Sequence, residues 1–214
     1  MLGLLVGLAA EARIAHSFGL PAEAGGGTEH GATLAAARLI ARGVTGIVSF
    51  GLAGGLDPAL LPGALIVPTL VRHGRATWAS DPALCTQLGG ATGHSLIGGG
   101  ALATTAAAKL ALHQATGAAA IDLETAAAAR TGLPFAALRA ICDPATRDLP
   151  HAALVALDAH GRIGALRVAF AALAHLSETG NLLALARDAA HARRALASRV
   201  RTIGRLKSNV TLRA

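Results

Sequence analysis

Three acidic side chains follow apolar segments of the chain, at places where predicted strands end. Glu11 follows the first apolar run in VGLAAEARIA, Glu124 follows AAAID, and Asp143 follows PFAALRAIC. The chain has only 12 acidic residues among 214, so these positions directly behind apolar runs are unusual. Carboxyl groups placed there could act as general acids or bases. Each also has a structural interpretation, because Glu11 and Glu124 could stabilise helix N-termini and Asp143 could form a turn with Pro144.

A glycine-rich segment, SFGLAGGLDPALLPGALIVPT, forms a second candidate for chemistry over Ser49–Thr69. Its predicted strand ends in Gly51-Leu-Ala-Gly-Gly55, where the missing side chains would let the backbone approach a ligand closely. The segment matches neither the GxGxxG pattern nor the P-loop, which argues against dinucleotide or nucleoside triphosphate binding by those routes. The alternative is a glycine-rich turn followed by a second turn at Asp57-Pro58.

The elements that must position these residues follow from the alternation of apolar runs with alanine-rich stretches. Continuous apolar runs predict strands at Leu2–Leu8, Thr45–Phe50, Ala64–Val71, Ser95–Ile97, Ala118–Ile121 and Phe135–Ile141. Stretches of helical periodicity predict helices at Thr33–Arg42, Thr104–Thr116, Glu124–Thr131, Gly164–His175 and Asn181–Arg201, with a long loop over Asp143–Gly161. This order predicts an α/β domain with a largely parallel sheet. Ligands bind such sheets at the carboxyl ends of the strands, where the acids and glycines would meet.

Four segments, in order over residues 2–150, resemble the purine nucleoside phosphorylases and methylthioadenosine/S-adenosylhomocysteine nucleosidases. They are VGLAAEA, GLAGGLDPALLPGALIV, IDLETAAAA in place of a VxMExxA pattern, and RAICD in place of RxISD. Within this group, KLALHQATGAAAIDLET, LPFAALRAICDPATRDLP and the basic last helix are most similar to the hopanoid-associated phosphorylases over nearly the full length. The resemblance implies a single three-layer α/β domain whose mixed, mostly parallel sheet is flanked by helices.

The same resemblance implies cleavage of the N-glycosidic bond of a 5′-substituted adenosine with release of adenine. The substrate implied by the hopanoid-associated group is adenosylhopane, a lipid-linked nucleoside of hopanoid side-chain biosynthesis. The alternatives are a methylthioadenosine/S-adenosylhomocysteine nucleosidase, another purine nucleoside phosphorylase, or a nucleoside-binding module without catalysis.

Site residues follow from the resemblance by position. Asp143 would be the general acid that protonates the purine at N7, which requires a pKa raised by burial. Glu124 would bind the ribose hydroxyls and favour positive charge on the sugar. Asp122, on the same side of its strand as Glu124, would be a secondary or structural residue. The nucleoside would lie against small residues, namely Gly7, Gly51, Ala53 and Gly54.

The position of Glu11 departs from the nucleosidase pattern. Their water-activating glutamate lies five places after a glycine in G-A-M-x-x-E, whereas Glu11 lies four places after Gly7. Glu11 is therefore a candidate catalytic residue whose role in activating water stays open. Arg13, in the same segment, could bind phosphate or could be a solvated arginine. Water and phosphate both remain candidate nucleophiles, and no cofactor other than phosphate as co-substrate is expected.

A second departure concerns the purine, because the nucleosidases stack it on a phenylalanine after SGDA. The corresponding stretch here, Gly98–Leu102, has no aromatic residue, and the chain has four Phe, one Trp and no Tyr. Purine recognition would then use backbone and aliphatic contacts, and a wide apolar entrance would suit a bulky substituent. The nine histidines form no HExxH motif or close pair, so no metal site is expected.

The formal net charge of +7 belongs to the end of the chain. Residues 1–186 contain equal numbers of basic and acidic residues, whereas residues 187–214 contain eight basic residues and one acidic residue. We therefore divide the chain into a catalytic domain, 1–186, and a basic amphipathic helix and tail, 187–214, that belong to the same domain. The helix has a basic side carrying Arg187, Arg194, Arg201 and Arg205. This side is either solvated or contacts an anionic membrane surface.

The remaining features concern compartment and partners. Cys85 and Cys142 are too far apart in sequence for a disulfide framework, which favours a reducing compartment. Met1–Ala10 lacks the features of a signal peptide, so we expect a cytoplasmic protein, with peripheral contact at the inner membrane as an open alternative. The tail has no interleaved aromatic residues, which argues against nucleic acid as its partner. The resemblance also implies a homo-oligomer.

Overall fold

The computed structural model describes residues 1–101, 103–150 and 179–207. The strands are β1 Leu2–Val6, β2 Ala22–Ala24, β3 Gly46–Gly55, β4 Leu65–Ile66, β5 Leu70–His73, β6 Ala76–Ala79, β7 Ser95–Gly98, β8 Ala120–Asp122 and β9 Phe135–Asp143. The helices are α1 Ala9–Ile14, α2 Glu29–Ala41, α3 Pro82–Gln87, α4 Ala106–Thr116, α5 Thr125–Ala129 and α6 Thr179–Ile203, with a 3₁₀ turn at Ala15–Phe18. The helix predicted at Gly164–His175 lies outside the described residues, as does the predicted loop beyond residue 150.

The central strand of the sheet is β3. It pairs in parallel with β1 and with β9, and its last residues pair in the antiparallel sense with β8. The path runs β2-β1-β3-β8-β7-β5-β6, and β4 pairs with β9. Five of the pairings are parallel and three are antiparallel. The predicted mixed, mostly parallel sheet is therefore confirmed.

Two predicted strands differ in extent from those observed. The run Ala64–Val71 forms two strands, because Pro68 between them cannot donate a ladder hydrogen bond. The ninth strand extends two residues beyond its predicted end, so that Asp143 is its last residue. The register sets Asp143 opposite Gly54 and Arg139 opposite Gly51. Pairing with β3 thus places the side chains of β9 beside the glycine-rich segment.

Helices cover both faces of the sheet. On one face α6 packs against β9, and it buries Ala192, Leu196 and Val200 at spacings of about one helical turn. On the other face α2 and α5 pack together over Leu5 and Ile47. The predicted amphipathic last helix is confirmed, and Arg187, Arg194 and Arg201 are exposed on it, whereas Arg205 is exposed but follows the end of the helix at Ile203. None of the described helices is both long enough and apolar enough to cross a bilayer.

Candidate active site

A completely buried arginine, Arg139 of β9, lies at the centre of a cluster of carboxyl groups. Its Nε is 2.7 Å from Asp122 Oδ2, and its Nη2 is 3.4 Å from Glu124 Oε2. The same Nη2 donates hydrogen bonds to Ser49 Oγ at 2.6 Å and to Thr125 Oγ1 at 3.0 Å. A buried charge needs such partners to offset the loss of hydration. The strands β3, β8 and β9 therefore meet at this guanidinium.

Two glycines bring Glu11 and Glu124 together. A Cβ added at Gly7, directly after β1, would lie 2.7 Å from Glu124 Oε1 and 3.2 Å from Glu11 Oε2. A Cβ at Gly51 would lie 2.5 Å from Glu11 Oε1 and 2.7 Å from Arg139 Nη1. At each glycine the nearest of these distances is shorter than real Cβ contacts, so a side chain at either position would displace the carboxyls or the arginine from where they lie.

The carboxyl of Glu11 is held by backbone groups of two elements. Its Oε2 accepts a hydrogen bond from the N–H of Leu8 at 2.8 Å, which is the bond that a glutamate at the third position of a helix makes to the N-cap residue. Its Oε1 accepts a hydrogen bond from the N–H of Leu52 at 2.9 Å. The interpretation of Glu11 as a residue that stabilises a helix N-terminus is therefore supported. The bond to Leu52 also fixes the carboxyl beside Gly51, so the two interpretations are compatible.

Glu124 occupies the N-cap position of α5, but the side-chain hydrogen bonds at the start of this helix come from Asp122. Asp122 Oδ1 accepts hydrogen bonds from the backbone N–H groups of Glu124 at 3.0 Å and Thr125 at 2.8 Å, and Oδ2 accepts one from the Thr125 hydroxyl. The side chain of Glu124 makes no capping bond. Glu124 therefore stands at a helix N-terminus, as predicted, without making a capping bond, and the structural role considered for Asp122 is supported by the bonds of Asp122 itself.

At the end of β9, Asp143 forms a buried ion pair with a lysine that the sequence analysis did not single out. Lys109 of α4 is 1% exposed, and its Nζ lies 2.6 Å from Asp143 Oδ2. The other carboxyl oxygen, Oδ1, is buried and has no hydrogen-bond partner among the described residues. The alternative interpretation of Asp143 as a turn residue before Pro144 is wrong, because Asp143 belongs to the strand and pairs with Lys109.

Burial changes the acidity of all three strand-end carboxyls in the same direction. Loss of hydration raises the pKa of Glu124 to about 8, against the lowering effect of Arg139 and with further raising by Asp122 and Glu11. Burial also raises the pKa of Glu11, although Arg139 and three backbone N–H groups oppose it. The pKa of Asp143 is raised by burial too, and Lys109 opposes that rise. Each group therefore holds a proton more firmly than a solvated carboxyl does.

The other residues selected from the sequence lie at different distances from this cluster. Ala53 and Gly54 continue β3 from Gly51 toward Asp143, and a Cβ at Gly54 would lie 3.7 Å from Asp143 Oδ2. Arg13 is an exposed residue of α1. Leu102, the last residue of the stretch that replaces the stacking phenylalanine, lies outside the described residues.

Two charged residues that matter here were not selected from the sequence. Arg139 is the first residue of the RAICD segment, and its immediate neighbours in the sequence are apolar. Lys109 is the sole charged residue between Asp81 and Asp122. A single lysine within such an apolar stretch is a usable signal, because lysine is almost never fully buried unless it is paired.

A cleft of about 1110 Å³ lies at the other end of β9, away from the carboxyl cluster. Its lining includes Trp78, Asp81, Pro134 and Phe135, and it contains none of the strand-end acids. The shape of the surface alone would indicate this cleft as the candidate active site. The buried titratable side chains indicate the cluster at Arg139 instead. In the part of the chain that the structure describes, no group of three or more His, Cys, Asp or Glu side chains is arranged to hold a metal ion.

The raised pKa of Glu124 predicts a loss of stability at alkaline pH. In the unfolded chain this carboxyl ionises near 4.5, whereas in the folded protein it ionises at about 8. The stabilisation from the protonated form is therefore complete below pH 4.5 and is lost as the pH rises through 8. We expect the free energy of unfolding, measured by urea titration, to fall between pH 5 and pH 8.5, and to fall less in Glu124→Gln. An equal slope in wild type and variant would contradict this prediction.

Comparison with known proteins agrees with this architecture. The Phosphorylase superfamily sequence model matches residues 21–176. No curated protein sequence matches the chain significantly. Among solved structures, a Helicobacter pylori 5′-methylthioadenosine/S-adenosylhomocysteine nucleosidase has a TM-score of 0.64 at 16% identity, covering 94% of this chain and 97% of that one.

Two further solved structures have the same fold. A nucleosidase of the same kind from Colwellia psychrerythraea, in complex with adenine, has a TM-score of 0.60 at 19% identity and covers 68% of this chain and 83% of that one. The futalosine hydrolase of Helicobacter pylori has a TM-score of 0.63 at 16% identity, with coverages of 94% and 97%. Because the superfamily match spans well over half of the sequence and the fold agrees with it, this chain belongs to the phosphorylase superfamily of enzymes.

Proposed function

We propose that this enzyme cleaves the N-glycosidic bond of a 5′-substituted adenosine and releases adenine. The observation that carries the proposal is the arrangement of Glu11 and Glu124 around Gly7, beside Arg139, with Asp143 at the end of the neighbouring strand. The solved structures with the same fold include adenine-nucleoside hydrolases, one of them with adenine bound. An enzyme with buried, proton-holding carboxyls at this position is suited to a leaving group that must be protonated.

In the proposed mechanism the C1′–N9 bond breaks and its electron pair moves to the purine. Asp143 gives its proton to N7, so that adenine leaves as a neutral base. Glu124 hydrogen-bonds the ribose hydroxyls, and the positive charge that develops on the sugar favours its ionised form, which in turn stabilises that charge. Asp122 and Arg139 hold Glu124 and the start of α5 in place. Gly7, Gly51, Ala53 and Gly54 lie against the nucleoside.

The nucleophile adds to C1′ from the face opposite adenine. With water, the oxygen bonds to C1′ and one proton passes to a carboxylate of the cluster, for which Glu11 is the candidate. With phosphate, an oxygen of the dianion bonds to C1′ and no proton needs to be removed. The two bonds from Leu8 and Leu52 leave the Glu11 carboxylate with further lone pairs for a water molecule. Arg13, which is exposed on the same short helix as Glu11, is the candidate for contact with phosphate.

For the substituent at the 5′ position we propose a large apolar group, with adenosylhopane as the substrate. The similarity of the KLALHQATGAAAIDLET and LPFAALRAICDPATRDLP segments to the hopanoid-associated phosphorylases supports this choice. The low aromatic content supports it too, because an aliphatic site fits a saturated polycyclic group. The second candidate is a methylthioadenosine/S-adenosylhomocysteine nucleosidase, the activity for which two of the matched structures are named.

Adenine release from three substrates tests the proposal. Purified full-length protein is incubated with adenosylhopane in detergent, with 5′-methylthioadenosine and with S-adenosylhomocysteine, each with and without phosphate. We expect adenine from adenosylhopane at the highest kcat/KM, and the sugar product distinguishes a free hydroxyl at C1′ from a 1-phosphate. Faster turnover of 5′-methylthioadenosine would favour the second candidate. Absence of adenine with all three substrates would remove the proposed activity.

We also propose that the exposed basic side of α6 brings the enzyme to an anionic membrane surface. Arg187, Arg194 and Arg201 are spaced seven residues apart and are all exposed, so they form one stripe on the helix. The opposite side of the same helix packs on the sheet. Such a stripe would lie parallel to the headgroups while the domain stays in water.

Without this stripe of arginines, the protein should bind anionic vesicles more weakly. Arg187, Arg194 and Arg201 are replaced by Gln in one variant, and the control replaces the exposed Arg38, Arg42 and Arg75 by Gln. We expect the first variant to bind vesicles with 30% anionic lipid roughly 100-fold more weakly, because each basic residue near such a surface contributes about 1 kcal/mol. The control should bind like wild type. Equal losses in both variants would indicate attraction by net charge without a helix surface.

A further inference from the structure

We propose that Lys109 is a positioning residue that holds Oδ2 of the Asp143 carboxyl, so that the reactive proton resides on Oδ1. This inference rests on the proposed function. The residue is placed by α4, one layer away from the strand that carries Asp143, and nothing in the reaction outlined above requires a lysine there. Its burial and its partners point to a specific role.

The ammonium of Lys109 has an acceptor for each of its three N–H groups. Besides Asp143 Oδ2 at 2.6 Å, it lies 3.1 Å from the carbonyl oxygen of Pro144 and 2.7 Å from that of Arg147. Three fixed acceptors leave the ammonium no freedom to turn toward the second carboxyl oxygen. Lys109 therefore binds Oδ2 and leaves Oδ1 without a partner among the described residues.

The segment that supplies these carbonyl oxygens is itself fixed to two helices. Asp148 Oδ1 accepts a hydrogen bond from the N–H of Ala106 at 2.7 Å, at the start of α4, and Leu149 N–H donates to the carbonyl of Thr104 at 2.7 Å. The Arg147 guanidinium forms an ion pair with Asp188 of α6. Residues 144–149 are thus held against α4 and α6, which keeps the cage around Lys109 in one geometry.

The difference between the two oxygens decides which of them can react. A protonated carboxyl has one O–H donor and one carbonyl oxygen. With Oδ2 accepting from an ammonium, the proton is carried by Oδ1, the oxygen that has no partner among the described residues. When N7 takes that proton, the electron pair of the O–H bond stays on Asp143, and the resulting carboxylate is stabilised by the adjacent positive charge. No oxidant or further reactant is needed.

The test compares two leaving groups in wild type, Lys109→Met and Lys109→Arg. Adenine must be protonated as it leaves 5′-methylthioadenosine, whereas 4-nitrophenolate leaves 4-nitrophenyl β-D-ribofuranoside without a proton. We expect Lys109→Met to lower kcat for adenine release by about 100-fold, as loss of general acid catalysis does. Release of 4-nitrophenol should change by less than about fivefold, since no proton transfer to the leaving group is involved. Lys109→Arg should restore part of the adenine activity.

The pH profile gives a second readout. Charged groups face Asp143 from three elements: Lys109 of α4, Arg147 after β9, and Asp188 of α6. Lys109 lowers the pKa of Asp143, so its removal should move the alkaline limb of kcat for adenine release to higher pH. An unchanged limb would contradict the inference.

Outcomes of the leaving-group test separate the inference from the proposed function. Equal losses on both substrates, or no loss of adenine release, would overturn the inference alone. A wild-type enzyme that releases adenine from neither adenosylhopane nor 5′-methylthioadenosine would overturn the proposed function, and the inference with it. Should Lys109→Met fail to fold, Lys109→Arg takes its place, because it keeps a buried positive charge beside Asp143 while its planar guanidinium cannot reproduce the three contacts of the ammonium. Adenine release should then fall more than 4-nitrophenol release, and equal changes in the two would overturn the inference.

Discussion

Replacement of Asp143 by Asn should lower kcat for adenine release by about 10²–10⁴-fold, which is the range for loss of a general acid. Asparagine has nearly the same shape and occupies the same place at the end of β9, so the binding of substrate should change little. The amide oxygen of asparagine can still accept a hydrogen bond from Lys109, but the amide cannot deliver a proton to N7. Initial rates with adenosylhopane or 5′-methylthioadenosine, with adenine measured directly, provide the test.

The control for this variant is Asp81→Asn. Asp81 caps α3 through a 2.8 Å hydrogen bond to the N–H of Leu84, near the cleft at the other end of β9. The substitution removes one carboxylate of the same kind from a site without proposed chemistry, so kcat should stay within about twofold. Full activity in Asp143→Asn would remove Asp143 from the mechanism. Equal losses in both variants would indicate a general effect of lost charge.

Replacement of Arg139 by Met should destabilise the fold by about 3–5 kcal/mol, the cost of removing one partner from a buried ionic network. Three carboxyls, those of Glu11, Asp122 and Glu124, would then have no buried cation beside them. The Ser49 and Thr125 hydroxyls would also lose a donor. The free energy of unfolding from urea titration gives the magnitude.

The loss in Arg139→Met should depend on pH in a defined direction. Arg139 lowers the pKa of Glu124 and of Glu11, so its removal raises both and makes their ionised forms more costly. The destabilisation should therefore be larger at pH 8 than at pH 5. The control is Arg38→Met, an exposed arginine paired with Glu23, for which we expect less than about 1 kcal/mol. A loss of less than about 1 kcal/mol in Arg139→Met would contradict the expectation that the buried ionic cluster stabilises the fold.

Much of the sheet could be predicted from the sequence because its strands are continuous apolar runs. The strands β1, β3, β7, β8 and β9 all fall within or next to predicted runs. The short edge strands β2 and β6 were not predicted, since three or four residues with exposed or partly exposed side chains carry no hydrophobic period. Their pairing is decided by neighbouring strands, which is information that no local pattern contains.

The three strand-end acids could be selected from the sequence because acids are rare here and each follows an apolar run. The partners of those acids could not be selected in the same way. Arg139 lies in the middle of an apolar strand, and Lys109 lies in an alanine-rich helix. In both places the sequence pattern predicts an apolar environment. Their charges are tolerated because acids distant in sequence neutralise them, and the register of β9 on β3 brings those groups together.

The cluster at Arg139 contains three carboxyls and a single guanidinium, so it is short of positive charge. Protonation of the carboxyls offsets the excess negative charge when no ligand is bound, which is why their pKa values are raised. A bound cation would offset the same negative charge in place of the protons. Any ligand with a fixed positive charge on its sugar would then displace protons on binding, and its affinity would rise with pH by up to about tenfold per unit for each proton released. The affinity of the empty enzyme for protons and its affinity for a cationic sugar are thus two measures of the same unbalanced charge.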